Sequence, residues 1–177
     1  ILVAGTPCSG KTTLINSNSG WRNSLNANSV REKLPDKPFG LSTVIHYDNL
    51  RPFKRNLNRY SSSDDTFLQL LEKQSNIQII TVLAPLRTQL TRLQERKKRL
   101  IKKSTPQSRL DKIDRVIGLY QNPSLFMKIF DQWLTYCQNL QTVSHHINFN
   151  TNQSTYTQPI NTLSSKELEK FVRTEMF

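Results

Sequence analysis

The sequence has few cysteines and no long apolar run, and each shortage excludes a class of protein. Two cysteines, Cys8 and Cys137, are too few for a disulfide framework or a thiolate metal site, so we expect a reduced, cytoplasmic setting. No stretch approaches the roughly 18 consecutive apolar residues that a membrane-spanning helix needs, so we expect no membrane partner. The chain opens on Ile1 without an initiator methionine or the basic start of a secretory signal, and we expect it to be part of a longer protein.

Acidic residues are also scarce relative to basic ones. The 177 residues include 25 Lys and Arg against 13 Asp and Glu, which gives a formal net charge of +12. Eleven basic and three acidic residues fall between Arg87 and Arg115, a local charge of +8 that makes up most of the excess. Because opposite charges attract, we expect an anionic partner: nucleotide phosphates or a phosphorylated or sulfated acceptor. Nucleic acid is the less favoured partner, because neither a groove-reading helix nor a single-strand stacking platform stands out around the basic segment.

Apolar periodicity predicts strands that alternate with helices over one domain spanning residues 1–177. The predicted strands are Ile1–Gly5, Leu41–Tyr47, Ile77–Ala84 and Ser144–Phe149. Helices are predicted to begin near Lys11, Ser63, Pro85, Ser108, Pro123 and Ser164. The polar composition of Asn150–Thr162 predicts an exposed loop. Such alternation predicts a three-layer α/β fold, with a mostly parallel sheet of about four to five strands and helices on both faces.

One motif carries specific chemistry. The run Gly5-Thr6-Pro7-Cys8-Ser9-Gly10-Lys11-Thr12 fits G-x-x-x-x-G-K-[ST] at every position. Its glycines let the backbone turn and bring N–H groups against an oligophosphate, which the lysine also reaches. The threonine hydroxyl is a ligand for Mg²⁺. The motif therefore predicts ATP and Mg²⁺ as cofactors, bound by Gly5, Thr6, Pro7, Cys8, Ser9, Gly10, Lys11, Thr12 and Thr13, with Thr12 as the metal ligand.

These opening residues resemble the P-loop NTPase superfamily. The remainder resembles its small-kinase branch, which includes adenylate kinase, shikimate kinase, polynucleotide kinase and zeta-toxin-like proteins. Asp48 and Arg51 after a strand are similar to the D-x-x-R element of some members, and Leu90–Arg96 is similar to the segment that leads into their lid. The resemblance implies a basic, helical lid around residues 87–120. Many of these kinases carry a third glycine where Cys8 stands.

The resemblance also implies roles for individual residues. In related kinases the aspartate at the position of Asp48 helps position or deprotonate the acceptor hydroxyl, and the lid arginines close over the phosphates. Arg92 and Arg96 lie four residues apart and therefore share one helix face, although a face exposed to water is the alternative. The candidate catalytic residues are Lys11, Asp48, Arg92 and Arg96.

The segment after Asp48 mixes basic and aromatic residues without periodicity. It is either a solvated basic loop or an acceptor-binding loop, in which Arg51, Arg55 and Arg59 would hold an anion. His46 should point to the opposite strand face from Tyr47, and we expect it to be packed or at the surface rather than catalytic.

Together these features predict a Mg²⁺- and ATP-dependent kinase that moves the γ-phosphoryl group to a hydroxyl or phosphate of a small acceptor. The absence of N-K-x-D and D-x-x-G motifs argues against a GTPase. An alternative is a regulatory nucleotide-binding module of a larger protein, associated with nucleic acid, which the basic segment favours. A third alternative is a sulfotransferase-like protein. The complete G-K-T argues against it, because the threonine hydroxyl is a ligand for Mg²⁺ and a sulfonate donor needs no Mg²⁺.

Overall fold

Strands and helices alternate along the chain in the computed structural model, which describes residues 1–21, 24–27, 43–50, 65–151 and 153–174. No helix within these ranges is both long and apolar enough to cross a membrane. The elements are β1 (Leu2–Gly5), α1 (Lys11–Ser17), β2 (Leu25–Asn26), β3 (Ile45–Asp48), α2 (Thr66–Glu72), β4 (Ile77–Leu83), α3 (Leu86–Lys102), α4 (Gln107–Tyr120), α5 (Pro123–Gln138), β5 (Thr142–Asn150), β6 (Thr155–Pro159) and α6 (Ser165–Arg173).

The strands form a single six-stranded sheet in the order β2-β3-β1-β4-β5-β6. All neighbours are parallel except β6, which runs antiparallel to β5. Gly5, at the end of β1, lies opposite Asp48 of β3 on one side and Val82 of β4 on the other. The chain leaves β1 toward one edge of the sheet and leaves β3 and β4 toward the other. Ligands of such sheets bind where connections diverge in this way, at the carboxyl ends of the strands.

The expectation of about four to five strands is wrong, because two short strands add to the edges. The predicted loop Asn150–Thr162 contains β6 and a 3₁₀ turn at Ile160–Thr162. Every residue of β6 is exposed, so this edge strand has no buried face and leaves no alternating apolar pattern to read. The two-residue strand β2 at the opposite edge is likewise exposed.

Two apolar clusters cover the two faces of the sheet. Val3, Val44 and Val82 pack with Ile15 of α1 on one face. Leu2, Ala4, Tyr47 and Ile79 belong to the larger cluster on the other face, together with side chains from α2 to α6. Because side chains alternate along each strand, β1 contributes to both clusters. Helices on both faces of a mostly parallel sheet, as predicted, are therefore present.

Helix starts follow the local capping signals. The Asp65 carboxylate accepts a hydrogen bond from the Phe67 amide at 3.0 Å, and the Asn122 side chain accepts one from Leu125 at 3.1 Å, with Pro123 in the first turn of α5. Ser164 and Glu167 form a complete capping box at α6. Pro85 is the N-cap of α3 rather than its first helical residue.

Candidate functional site

A cleft of about 660 Å³ opens at the carboxyl ends of β1 and β3. Three parts of the chain line it: the loop Gly5–Thr12 with the start of α1, the strands β2 and β3, and one side of α3. We call Gly5–Thr12 the glycine loop. Its residues and the first turn of α1 contribute Pro7, Cys8, Gly10, Lys11, Thr12 and Thr13 to the lining.

Both glycines of the loop are required by close contacts. A Cβ on Gly5 would lie 2.6 Å from the Val82 carbonyl oxygen, and one on Gly10 would lie 2.7 Å from the Asn150 side chain. Gly10 also has a φ of 107°, which side-chain-bearing residues rarely adopt. The loop thus keeps its shape only with glycine at these positions, which explains the spacing seen in the sequence.

Cys8 adopts a left-handed conformation with a φ of 64°. This conformation costs a non-glycine residue about 1–2 kcal/mol. Cys8 is also the position at which many of the kinases that the sequence resembles carry a glycine. The departure noted in the sequence therefore corresponds to backbone strain, and the loop keeps its turn despite it.

The Lys11 ammonium is folded into the glycine loop. Its Nζ donates hydrogen bonds to the carbonyl oxygens of Gly5 at 2.8 Å and Thr6 at 2.7 Å, and the side chain is buried. Burial lowers the pKa of Lys11 from 10.5 to about 8, against the opposing effect of the Asp48 carboxylate. At neutral pH the loop therefore holds a largely protonated cation in a poorly solvated position.

Side chains from α3 and α4 hold the loop from behind. The Thr6 hydroxyl donates to the Gln89 side chain at 2.5 Å, and Gln89 in turn donates to the Ala84 carbonyl at 2.7 Å. The Tyr120 hydroxyl donates to the Pro7 carbonyl at 2.6 Å, and burial raises the pKa of Tyr120 well above its usual value, so this donor stays protonated. Sequence reasoning missed Gln89 and Tyr120, because single polar residues in amphipathic helices carry no signature of their distant partners.

The Ser9 hydroxyl is buried and has no hydrogen-bond partner within the described residues. A buried hydroxyl without a partner is uncommon in native proteins, because it loses its hydrogen bonds to water without replacement. The glycine loop therefore combines a backbone turn that only glycines allow, a buried ammonium and an unused hydroxyl.

On the other wall, β3 presents two functional groups to the cleft. Asp48 is half-buried, and its carboxylate accepts a hydrogen bond from the Leu50 amide at 3.1 Å. His46 lies two residues earlier on the same strand face, and Tyr47 points into the core, as predicted. Burial and the nearby charge of Lys11 lower the pKa of His46 from 6.5 to about 4, so its ring is neutral at pH 7. His46 thus lines the cleft beside Asp48, a placement that the strand pattern alone did not assign.

The third wall is α3, which turns Arg92, Glu95, Arg96 and Arg99 toward the cleft. Arg92 donates to the Cys8 carbonyl at 3.3 Å and to the Asn150 side chain at 3.1 Å. Arg92 and Arg96 therefore share one helix face, as their spacing indicates, and that face borders the cleft. Sequence reasoning did not assign Asn150, which was predicted to begin an exposed loop and is instead the last residue of β5.

Arg51, Arg55 and Arg59, the candidate acceptor-binding residues, lie outside the described ranges.

A second histidine, His145 of β5, does not line the cleft. It contacts the Thr81 hydroxyl at 2.9 Å, and the Trp133 ring N–H donates to that hydroxyl at 3.0 Å, so His145 belongs to a packed network. Within the ranges that the structure describes, no group of three or more His, Cys, Asp or Glu side chains could hold a metal ion.

Comparisons of the chain with protein-family models, with curated proteins and with solved structures give no significant match. The functional argument therefore depends on the geometry of the cleft.

Proposed function

We propose that this protein is a Mg²⁺- and ATP-dependent phosphotransferase, which moves a γ-phosphoryl group to an acceptor bound in the cleft. The observation that carries the proposal is the buried Lys11 ammonium inside the glycine loop, at the point where the sheet connections diverge. Burying a cation costs free energy unless an anion pairs with it. A triphosphate tail in the loop would supply that anion.

The residues present fit a triphosphate and its magnesium ion. The loop offers the Lys11 ammonium and the Ser9 hydroxyl, which is buried and has no hydrogen-bond partner among the described residues. Thr12 offers a hydroxyl at the cleft, an oxygen ligand of the kind that Mg²⁺ prefers. When bound, the ion would neutralise charge on the β- and γ-phosphates.

The proposed reaction is a direct transfer between two oxygens. An acceptor hydroxyl oxygen forms a bond to the γ-phosphorus, the bond from that phosphorus to the β–γ bridging oxygen breaks, and ADP leaves with the electron pair. Asp48 takes the proton of the acceptor hydroxyl and returns it to solvent. Arg92 and Arg96 stabilise the charge that spreads over the transferring oxygens. Little covalent chemistry is asked of the protein, because such catalysis is mostly positioning and charge neutralisation.

A second candidate is a nucleotide-binding module that does not turn over. The observation that favours it is the inward position of Lys11, whose two hydrogen bonds to the loop must rearrange before it contacts phosphate. Acceptor-stimulated release of ADP separates the two candidates. The Thr12 hydroxyl at the cleft continues to argue against the sulfotransferase-like alternative.

The test is nucleotide binding by Lys11→Met, followed in a thermal-shift titration with and without Mg²⁺. We expect ATP to stabilise the wild type and to have no effect on the variant. Folding should survive, because the carbonyls that Lys11 contacts also accept backbone bonds from Asn49 and Ser9, both at 3.2 Å. Lys98→Met removes an exposed charge outside the cleft and is the matched control. Unchanged ATP affinity in Lys11→Met would refute the proposal.

The catalytic role of Asp48 is tested with Asp48→Asn, which can still accept the Leu50 hydrogen bond. Turnover should fall by about 100-fold or more, the usual contribution of a positioned base, whereas ATP affinity should change far less. Equal losses in turnover and affinity would remove Asp48 from the acceptor role.

A further inference from the structure

The edge strand β6 lies in a long part of the sequence that has no charged side chains. The 34 residues from Gln132 to Ser165 contain no Asp, Glu, Lys or Arg, although such residues make up 21% of the chain. We call them the charge-free run. It contains all of β5, the turn that follows and all of β6. The formal charge of +12 therefore belongs entirely to other parts of the protein.

Exposed edge strands usually carry a feature that prevents pairing with a further strand, such as a charged side chain, a bulge or a covering segment. Among the described residues β6 has none of these. Its five residues are exposed and uncharged, its register with β5 is unbroken from Asn150 to His146, and it is the last strand of the sheet. Only Pro159, at its end, is unfavourable for pairing. The edge is thus open to another strand.

The hairpin of β5 and β6 determines which backbone groups face outward. The Thr151 amide donates to the Ser154 carbonyl at 3.0 Å, and hydrogen-bonded pairs alternate with non-bonded pairs along an antiparallel ladder. Continuing the register from this pair leaves alternate residues of β6 with their backbone groups directed away from β5. These outward residues are Thr155, Thr157 and Pro159.

We propose that β6 is the interface of a homodimer, in which it pairs antiparallel with β6 of a second copy about a two-fold axis at Thr157. In this register the two Thr157 residues exchange both backbone hydrogen bonds, and each Thr155 amide donates to the Pro159 carbonyl of the other copy. Because proline has no amide proton, each pair of Thr155 and Pro159 forms one bond instead of two. The inference goes beyond the proposed phosphotransferase and does not depend on it.

The side chains of β6 also fit those of a second copy. Thr157 lies opposite its own copy, and Tyr156 lies opposite Gln158 of the other chain. Cross-strand pairs of threonines, and of an aromatic ring with a long side chain, stabilise antiparallel sheets. Tyr156 is 45% exposed, yet its ring stacks on Phe149 with the centroids 4.8 Å apart. The ring is therefore held in place before the second copy covers it.

The distribution of charge favours a second copy over a strand of another protein. Two molecules that each carry +12 repel one another, so close approach is favoured where both surfaces are uncharged. A foreign acidic strand would instead gain from basic residues beside the edge, and the charge-free run supplies none. The helix α6, whose Phe171 ring centroid lies 4.7 Å from that of Phe149, carries three basic and two acidic side chains, which nearly cancel.

The expected dimer is weak, because only five residues of each copy pair. Interfaces below about 1,200 Å² belong to weak and transient complexes. We therefore expect a dissociation constant of about 10–100 μM. Raising the salt concentration from about 50 to 500 mM should tighten the dimer, since salt screens the repulsion between the two positively charged molecules.

Sedimentation equilibrium at about 1–300 μM protein measures the dimer. Thr157→Lys and Thr157→Glu each place two like charges opposite one another at the axis, and each should weaken dimerisation by about fivefold or more. An equimolar mixture of these two variants, with one of them fluorescently labelled, should form mixed dimers at least as tight as those of the wild type. Opposite charges then meet at the axis, which a second copy bound elsewhere would not produce.

Two control variants accompany the charged ones. Thr157→Val also removes the hydroxyl that accepts a hydrogen bond from Asn148 at 2.8 Å, and it should dimerise like the wild type. Gln153→Lys adds a charge in the turn before β6, within the charge-free run but away from the axis, and it should also dimerise. Urea unfolding shows whether each variant keeps its fold.

Several results would overturn the inference. A wild type that stays monomeric at about 300 μM would leave the edge open to a strand of another protein. Equal dimerisation of Thr157→Lys and Gln153→Lys, or mixed dimers no tighter than those of either charged variant alone, would mean that association uses another surface. A dimer that weakens as salt is added would depend on attraction between charges, contrary to a charge-free interface. Tight mixed dimers together with a dimeric Thr157→Val would support the proposal.

Discussion

The buried charge of Lys11 destabilises the free protein, and an anion bound beside it would offset that cost. Its pKa of about 8 lies below the ordinary 10.5, so the folded protein releases this proton more readily than the unfolded chain does. A phosphate beside the ammonium would favour the charged form and raise the pKa again. At a pH between the pKa of Lys11 in the free protein and its higher pKa in the ATP complex, binding of ATP therefore takes up a proton.

The affinity for ATP should therefore fall as the pH rises above about 8, by up to tenfold per pH unit. Isothermal titration at a series of pH values measures this directly, because ATP itself is fully ionised throughout that range. Lys11→Arg keeps its charge over the same range, so its affinity, whatever its size, should not depend on pH. A flat profile for the wild type would show that Lys11 does not contact the ligand.

Cys8 offers a second test at the scale of one residue. Its left-handed backbone costs about 1–2 kcal/mol, and glycine relieves that strain while losing about 0.5–1 kcal/mol through the greater freedom of the unfolded chain. Cys8→Gly should therefore be more stable than Cys8→Ala by about 1 kcal/mol, as measured by urea unfolding. Both variants lack the thiol, so the comparison isolates the backbone. A Cys8→Gly variant that is less stable than Cys8→Ala by about 0.5–1 kcal/mol would mean that the loop carries no strain at this position.

The sequence predicts some residues of the site far better than others. The motif assigned the glycine loop and Lys11, because close backbone approach and a reachable charge demand particular residue types at fixed spacing. Asn150 and Gln89 were missed, because each makes its contact through the fold to a residue more than fifty positions away. His46 was interpreted correctly as facing away from Tyr47, but strand alternation gives the face and not what lies against it.

At the scale of elements, burial decides what can be predicted. β4 and α5 begin where their apolar patterns and capping residues place them, since both elements are packed into the core. β6 was predicted as a loop because it is an exposed edge strand held by pairing with β5, and pairing leaves no trace in local sequence. The internal strands and the helices that cover them were thus accessible from periodicity, and the edges were not.

The helix α4 should influence the site through one hydrogen bond from Tyr120. Tyr120→Phe removes the donor to the Pro7 carbonyl, which should lower the stability by about 1 kcal/mol and weaken ATP binding by loosening the loop. Tyr136→Phe is the matched control, because the Tyr136 hydroxyl donates to the Leu68 carbonyl at 3.3 Å, away from the cleft. We expect the two variants to have similar unfolding midpoints, and only Tyr120→Phe to lose affinity for ATP. If both variants bind ATP like the wild type, α4 does not support the loop.

At the scale of the whole molecule, the site exists only because distant segments meet. The glycine loop follows β1, Arg92 comes from α3, and Asn150 ends β5, on the far side of β4 from the loop. Asn150 packs against Gly10 and also accepts the hydrogen bond from Arg92, so it connects the loop to α3. Its own amide reaches Thr155 of β6 at 3.5 Å, which ties the edge of the sheet to the same point.

This convergence predicts that Arg92 and Asn150 act as one unit in nucleotide binding. Arg92→Met and Asn150→Ala should each weaken ATP binding by about tenfold, and the double variant should be little worse than either, a coupling of about 1 kcal/mol. A second cycle pairs Arg92→Met with Thr155→Val, which removes the other partner of Asn150, and its losses should simply add. Isothermal titration of ATP gives the affinities for both cycles, and urea unfolding shows whether each variant keeps its fold. Additive losses in the first cycle would mean that Asn150 supports the loop without positioning Arg92, and the contact between β5 and α3 would then be structural only.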